Sequence, residues 1–300
     1  MRSVAVNQVR HESISDIIHR RSIRSAIWVS FVTIIIASGS VVLLFPVAFM
    51  LTTSLKAGGD VFLLPIKWLP WIQFTPHWEN FPTALDFMKW EVVFGNTLKV
   101  SLTNMIADTL SASIVAYGFA RFKAPGRDFL FTLVLATLMI PYQVRLVPEF
   151  LGYSLLHLVN TLWPLIIPSW FGSAFNIFLL RQFFMTIPIE MDEAAEIDGA
   201  GPFRVFFQIL LPQIRPALAA VAIGSFTYNW NDFLRPVIYL NDPSQRTAAV
   251  ALAGFSATYG GTPWHLLMAA SLTMLIPVLL LFFVAQRYFI QGIVISGVKG

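Results

Sequence analysis

Three hundred residues, 56% of them hydrophobic and only 12% charged, fall outside the range of soluble globular domains and describe a polytopic membrane protein. The absence of cysteine excludes disulfides, thiolate nucleophiles and cysteine-based metal or Fe–S sites. The net charge of +4 does not point to nucleic acid, because no basic run interleaved with aromatic residues stands in an exposed segment.

Residues 1–25 form a polar tail carrying Arg2, Arg10, Arg20, Arg21 and Arg24, suited either to a short interfacial helix or to disorder. The apolar run that follows, about 26–53, is too long for the h-region of a signal peptide and has no small-residue cleavage site before Lys56. It reads as an uncleaved first span with a cytoplasmic N-terminus. Residues 54–91 are the longest polar segment and carry Trp68, Trp71, Trp78 and Trp90, which suit an external aromatic belt or a binding surface.

The second span, about 92–120, contains Asn104 and Asp108 in otherwise apolar sequence. An intramembrane carboxylate is costly, so Asp108 should face the bundle interior or water, hydrogen-bonded to a neighbouring helix or on a solute path. The short loop after it holds Arg121, Lys123 and Arg127, which marks it as cytoplasmic. The third span, about 129–144, is short, and Pro141 marks its end or a kink. Residues 146–160 suit an external re-entrant or interfacial helix; His157 there has no metal-ligand partner at helical spacing, and no metal site is expected. The fourth span is about 161–184.

Residues 187–216 then interrupt the apolar sequence. Glu190, Asp192, Glu193, Glu196 and Asp198 crowd five carboxylates into nine residues, a density that hydrocarbon does not tolerate, so this is a loop in water. Thr186 is a plausible N-cap and Pro188 suits the first helical turn. Gly199 supplies the left-handed residue that stops a helix, and Gly201 with Pro202 prevents its resuming directly. Phe203, Phe206, Phe207 and Leu210 then recur at the spacing of a second short helix. Asp192 and Glu196 repel at i, i+4, while Ala194 and Ala195 leave the flank without bulk, so the element suits docking better than self-stability.

The fifth span, about 217–240, ends in Tyr228, Asn229, Trp230, Asn231 and Asp232. Amides and carboxylates hydrogen-bond hydroxyls while Trp and Tyr stack on sugar faces, so these residues suit a carbohydrate path. They equally suit helix–helix hydrogen bonding, an interfacial anchor or a gate. A polar connection (241–263), a sixth span (264–288) and a short tail (291–300) complete an all-α bundle of six spans over 26–290, with both termini cytoplasmic. The basic residues agree, with 13 of the 20 Lys and Arg on the cytoplasmic side. No P-loop, H-E-x-x-H or G-x-S-x-G occurs, so no catalytic site is expected.

The run Glu193-Ala194-Ala195-(x)2-Asp198-Gly199-Ala200, followed by Phe206, Leu211-Pro212 and Pro216, resembles the cytoplasmic "EAA" loop of ABC-importer permeases. The Asp198-Gly199-Ala200 continuation, residues 286–292 and the final Gly297-Val-Lys-Gly300 are similar to the maltose-type, binding-protein-dependent carbohydrate permeases. The similarity runs from about residue 30 to the end of the chain. It implies a permease subunit in the cytoplasmic (inner) membrane of a bacterium or archaeon. It further implies a second homologous permease, an ABC ATPase dimer that binds the ATP and Mg, and a periplasmic or extracellular solute-binding protein. Glu193, Ala194, Ala195, Glu196, Asp198, Gly199 and Ala200 would form the ATPase-coupling element, and Asp108 with Tyr228, Asn229, Trp230, Asn231 and Asp232 the solute path. An ABC permease for a sugar phosphate, polyamine or peptide, a secondary transporter and a membrane scaffold are the competing readings.

Overall fold

The computed structural model describes residues 14–257 and 261–297. Residues 1–13 of the expected tail and residues 298–300 of the C-terminal signature lie outside the described residues. Helix α1 (Ile14–Ser54) begins inside the segment expected to be a separate tail and runs through Pro46 without a break. Its apolar part, Ile27–Ser54, is unburied along its most apolar window. The segment after α1 has no long helix; Asn80, at the start of α2 (Asn80–Met88), ties it down by donating to the Ser54 and Lys56 carbonyls at 2.8 and 2.9 Å.

Helix α3 (Trp90–Arg121) is the spine, packed against four later segments. These are a 3-10 turn (Ile167–Phe171) preceded by α6 (Trp163–Ile166), then α7 (Ala174–Thr186), α11 (Arg215–Trp230) and α13 (Ala248–Gly254). The cause lies in its small side chains. Ser101, Ala107, Ala112, Ser113 and Ala116 are sealed, which lets neighbouring backbones approach closely where lipid supplies no hydrophobic drive. The closest approach is at Gly172, where φ is +72° and an added Cβ would meet the Ala112 backbone at 3.1–3.2 Å. Helix α14 (Trp264–Gly297) closes the bundle against α1, α2 and α11.

The spans differ from the sequence expectation in continuity. Three described helical stretches are long and apolar enough to cross a membrane: Ile27–Ser54, Trp163–Thr186 and Trp264–Gln286. Two bent pairs, Arg127–Met139 with Tyr142–Leu155 at 98° and Pro202–Gln213 with Arg215–Trp230 at 83°, bring the number to five if each counts as one. The spine α3 falls outside that group because residues such as Asn96, Lys99, Asn104 and Asp108 lower its hydropathy. The expected third span of 129–144 therefore stops early: α4 (Arg127–Ala136) and a 3-10 turn end at Met139, and α5 (Tyr142–Leu155) leaves beyond Pro141 at nearly a right angle. The expected fourth span corresponds to the stretch Trp163–Thr186, within which regular helix lapses locally at Gly172 and Ser173. The expected fifth ends at Trp230, and α12 (Leu234–Tyr239) is a separate helix. Among the described residues no β-strand is present.

Candidate functional site

The acidic loop folds as two short helical pieces about a glycine stop. Helix α8 (Glu190–Ile197) has Ile189 at its N-cap and no side-chain cap. Thr186 is not the cap that its position implies; it closes α7 and donates to the Phe183 carbonyl at 2.7 Å. Pro188 precedes the helix rather than lying in its first turn. Glu190, Asp192 and Glu193 occupy that turn, where the dipole favours them. At the other end the Gly199 amide donates to the Glu196 carbonyl at 3.0 Å and the Ala200 amide to the Ala195 carbonyl at 2.9 Å. This is a Schellman closure, and it requires the left-handed Gly199, φ +78°.

The second piece starts at Pro202 in α9 (Pro202–Arg204), widens to a π-helical turn over Val205–Leu210 and ends in α10 (Leu211–Gln213). The wider turn divides the face expected from four apolar residues. Phe206 and Leu210 turn into the core, whereas Phe203 and Phe207 face outward.

Helix α8 is likewise two-faced. Glu193, Ala194, Glu196, Asp198 and Gly199 are exposed, Ala200 is half-buried, and Ile197 stands 87% exposed, as does Phe203 of the next helical piece at 81%. Ala195 and Asp192 point inward. Ala195 therefore supplies core packing, not the bare docking flank expected of it. Asp192 is not a surface charge: its Oδ2 lies 2.8 Å from Arg121 Nε, with both side chains about nine-tenths buried. Arg121, in the last turn of α3, also donates from Nη2 to the Ile187 carbonyl at 3.0 Å. Nearby, the Tyr117 hydroxyl donates to the Pro202 carbonyl at 3.3 Å. Burial pushes the Asp192 carboxyl above the usual carboxylate range; Arg121 pulls it back only in part, and Glu196 and Glu193 raise it further.

Deeper in the bundle a cavity of about 580 Å³ opens between α3, α7 and α11. Asp108, Tyr228 and Asn229, all expected on a path, line it together with Asn176, Arg145 and Arg235. Asp108 accepts the Ser173 amide at 2.9 Å and the Asn176 side chain at 2.7 Å, so it caps the start of α7 across the bundle. Asn229 Oδ1 accepts from Asn104 at 2.6 Å and from Arg235 at 2.8 Å. Arg235 lies 5.2 Å over the Tyr228 ring. The other three expected path residues do not line the cavity. Trp230 is buried with its indole N–H on the Met274 carbonyl, Asn231 returns to the Thr227 carbonyl, and Asp232 pairs with Arg235 at 2.6 Å.

Arg121, Arg145, Asn176 and Arg235 were not singled out by sequence. Arg121 served only as a mark of topology. The available signal was its place in the last turn of a long helix, where a cation caps carbonyls and meets the next loop.

Comparison with known proteins follows the same lines. The family model described as "binding-protein-dependent transport system inner membrane component" matches residues 108–295. The arabinooligosaccharides transport system permease protein AraQ of Halalkalibacterium halodurans is 37% identical over 207 residues, 69% of this chain and 74% of that one. The sn-glycerol-3-phosphate transport system permease protein UgpE of Yersinia pestis is 34% identical over 274 residues, 89% and 96% of the two chains. In fold, the chain is similar to a subunit of a bacterial ABC transporter involved in the import of the acidic polysaccharide alginate. The TM-score is 0.75 at 21% identity, over 89% of this chain and 98% of that one.

Proposed function

The chain belongs to the family of binding-protein-dependent transport system inner membrane components, and from that premise we propose that it forms half of the pathway of an ATP-driven sugar importer. A second permease of the same kind completes the pathway, a solute-binding protein delivers to the external segments 54–91 and 241–263, and a separate ATPase dimer holds ATP and Mg. The observation that supports this most is the loop at α8. It presents an acidic and apolar outer face to water, yet is fastened from behind to the core of the bundle. A solvated turn needs no such fastening.

The mechanism is one of leverage. The exposed Glu193, Glu196 and Asp198 meet cations of the ATPase, the small Ala194 and Gly199 permit close approach, and Ile197 and Phe203 lose their water. Closure of the ATPase on ATP pushes this face, and α3 and α11, which form the cavity walls, tilt with it. This chain contributes no catalytic group. The spans are read as membrane-crossing over 26–290, with both termini in the cytoplasm.

A neutral sugar or oligosaccharide is the substrate class that the similarity to AraQ favours. A phosphorylated small solute is the second reading, favoured by the similarity to UgpE and by Arg145 and Arg235 on the cavity wall. The test is ATPase activity of the reconstituted complex with its binding protein, over a panel of sugars and sn-glycerol 3-phosphate. One solute should stimulate hydrolysis in the wild type, and Glu193→Ala and Gly199→Arg should abolish the stimulation or release the ATPase. Uptake without ATP, or wild-type behaviour of both variants, removes this reading.

A further inference from the structure

The contacts of α8 with the rest of the chain are uneven. Its packing is chiefly on the π-helical turn that follows it, through Ala195 and half-buried Met191 and Ala200. These are small or flexible groups against an apolar surface, and such a contact resists separation better than it resists sliding. Only one of its charged side chains points inward. Asp192 reaches Arg121 Nε at 2.8 Å, and Arg121 spans on to the Ile187 carbonyl just before α8. The guanidinium thereby lies between the entry to α8, which its Nη2 holds by a hydrogen bond, and the first turn of α8, which its Nε holds by charge at 2.8 Å without a hydrogen bond.

Stability does not account for this arrangement. The site lies among Tyr117, Phe184 and Phe206, Asp192 Oδ1 has no hydrogen-bond partner, and the burial that lifts the carboxyl's pKa outweighs the attraction of Arg121. A buried ion pair of this kind is often replaceable by apolar side chains at no cost in folding. A rigid joint has a different requirement, which apolar side chains do not meet: it must carry load sideways.

We propose that the Arg121–Asp192 pair is the joint that makes α8 and α3 move as one body, so that force on the acidic loop is delivered to the spine rather than lost in sliding of the loop. Asp192 and Arg121 are positioning residues; neither touches solute nor nucleotide. The proposal rests on the reading of α8 as the ATPase-docking element. It assigns the transmitting role to α3, whose own Asp108 lines the cavity and caps α7. The continuous chain from α7 into α8 is then a tether and not the lever.

The experiment uses the complete complex in nanodiscs and exploits the absence of native cysteine. Spin labels at Glu190→Cys and Glu91→Cys report the relation of α8 to the far end of α3, with and without ATP. Solute transported per ATP is measured for the wild type, Asp192→Asn and the double variant Arg121→Met/Asp192→Leu. The double variant keeps the site filled and folded. Both variants should retain the ATPase on purification, transport about tenfold less solute per ATP, and show a broadened label distance on ATP closure. Wild-type transport per ATP in either variant overturns the joint, as does loss of the ATPase from Asp192→Asn, which would make the pair part of the docking surface. If Glu193→Ala and Gly199→Arg leave docking and stimulation intact, the reading of the loop itself fails, and that result is separate from these.

Discussion

Helix α3 buries a charge at two depths, and the two are satisfied differently. Asp108 takes neutral donors, the Ser173 amide and the Asn176 side chain, and it lies on the wall of the cavity of about 580 Å³. Arg121, about nine-tenths buried, takes a full counter-charge from another segment. A carboxylate beside a cavity keeps part of its hydration, so hydrogen bonds suffice. A guanidinium packed beneath α8 is paired instead with the acid that the loop brings, so it fixes the position of that segment. The first arrangement organises a wall, whereas the second fastens a moving part.

The comparison can be broken most severely at the wall. Gly172→Val puts a β-branched residue at φ +72° and drives its Cβ into the Ala112 backbone. The left-handed backbone costs about 1–2 kcal/mol and overpacking about 1–3 kcal/mol more, so little folded complex should survive thermal challenge. Next, Asp108→Ala orphans two donors at the start of α7. The expected loss is about 1–3 kcal/mol for each donor that finds no water, read as a lower Tm, whereas Asp108→Asn should recover part of it. Tyr228→Ala sharpens the contrast, because that ring is exposed, lines the cavity and, among the described residues, stacks with Arg235 alone. Stability should stay within about 0.5 kcal/mol while solute-stimulated ATPase changes. Equal losses in both measurements would make Tyr228 structural.

The smallest effect concerns pH at the loop. The folded-state pKa of Asp192 is raised, so the folded chain holds that proton more readily than the unfolded chain. Its contribution to stability is then present below the unfolded pKa and lost as pH rises through the folded one. Acidification from neutrality should therefore not lower Tm through Asp192, and the Tm values of wild type and Asp192→Asn should converge as pH falls. A wild type more stable than Asp192→Asn at neutral pH, losing that advantage on acidification, would show that Arg121, not burial, dominates the carboxyl.

Local features of the chain were legible because one or two residues carry them. Gly199 reads as a helix stop and takes φ +78°; Pro141 reads as a kink and stands at a 98° bend. The range expected for the second span agrees with α3 to within two residues at its start. The interruption at Gly172 was not legible, because it sits in largely apolar sequence whose hydropathy does not register a local loss of helix. The face of Asp192 was equally hidden. Eight residues of helix are too few for periodicity to tell an inward acid from an outward one, and Arg121 is remote in sequence. The membership of Trp230, Asn231 and Asp232 in one polar run concealed that α11 ends among them and turns them to three separate partners.

The outward-facing Ile197 and Phe203 set a condition on how the chain lives in the cell. Two large apolar side chains held in water beside a fixed acidic face form an adhesive tip for as long as nothing covers it. If the ATPase is that cover, a copy synthesised in excess of it displays the tip to chaperones and proteases. The number of surviving permease subunits then follows the supply of ATPase and not the rate of their own synthesis.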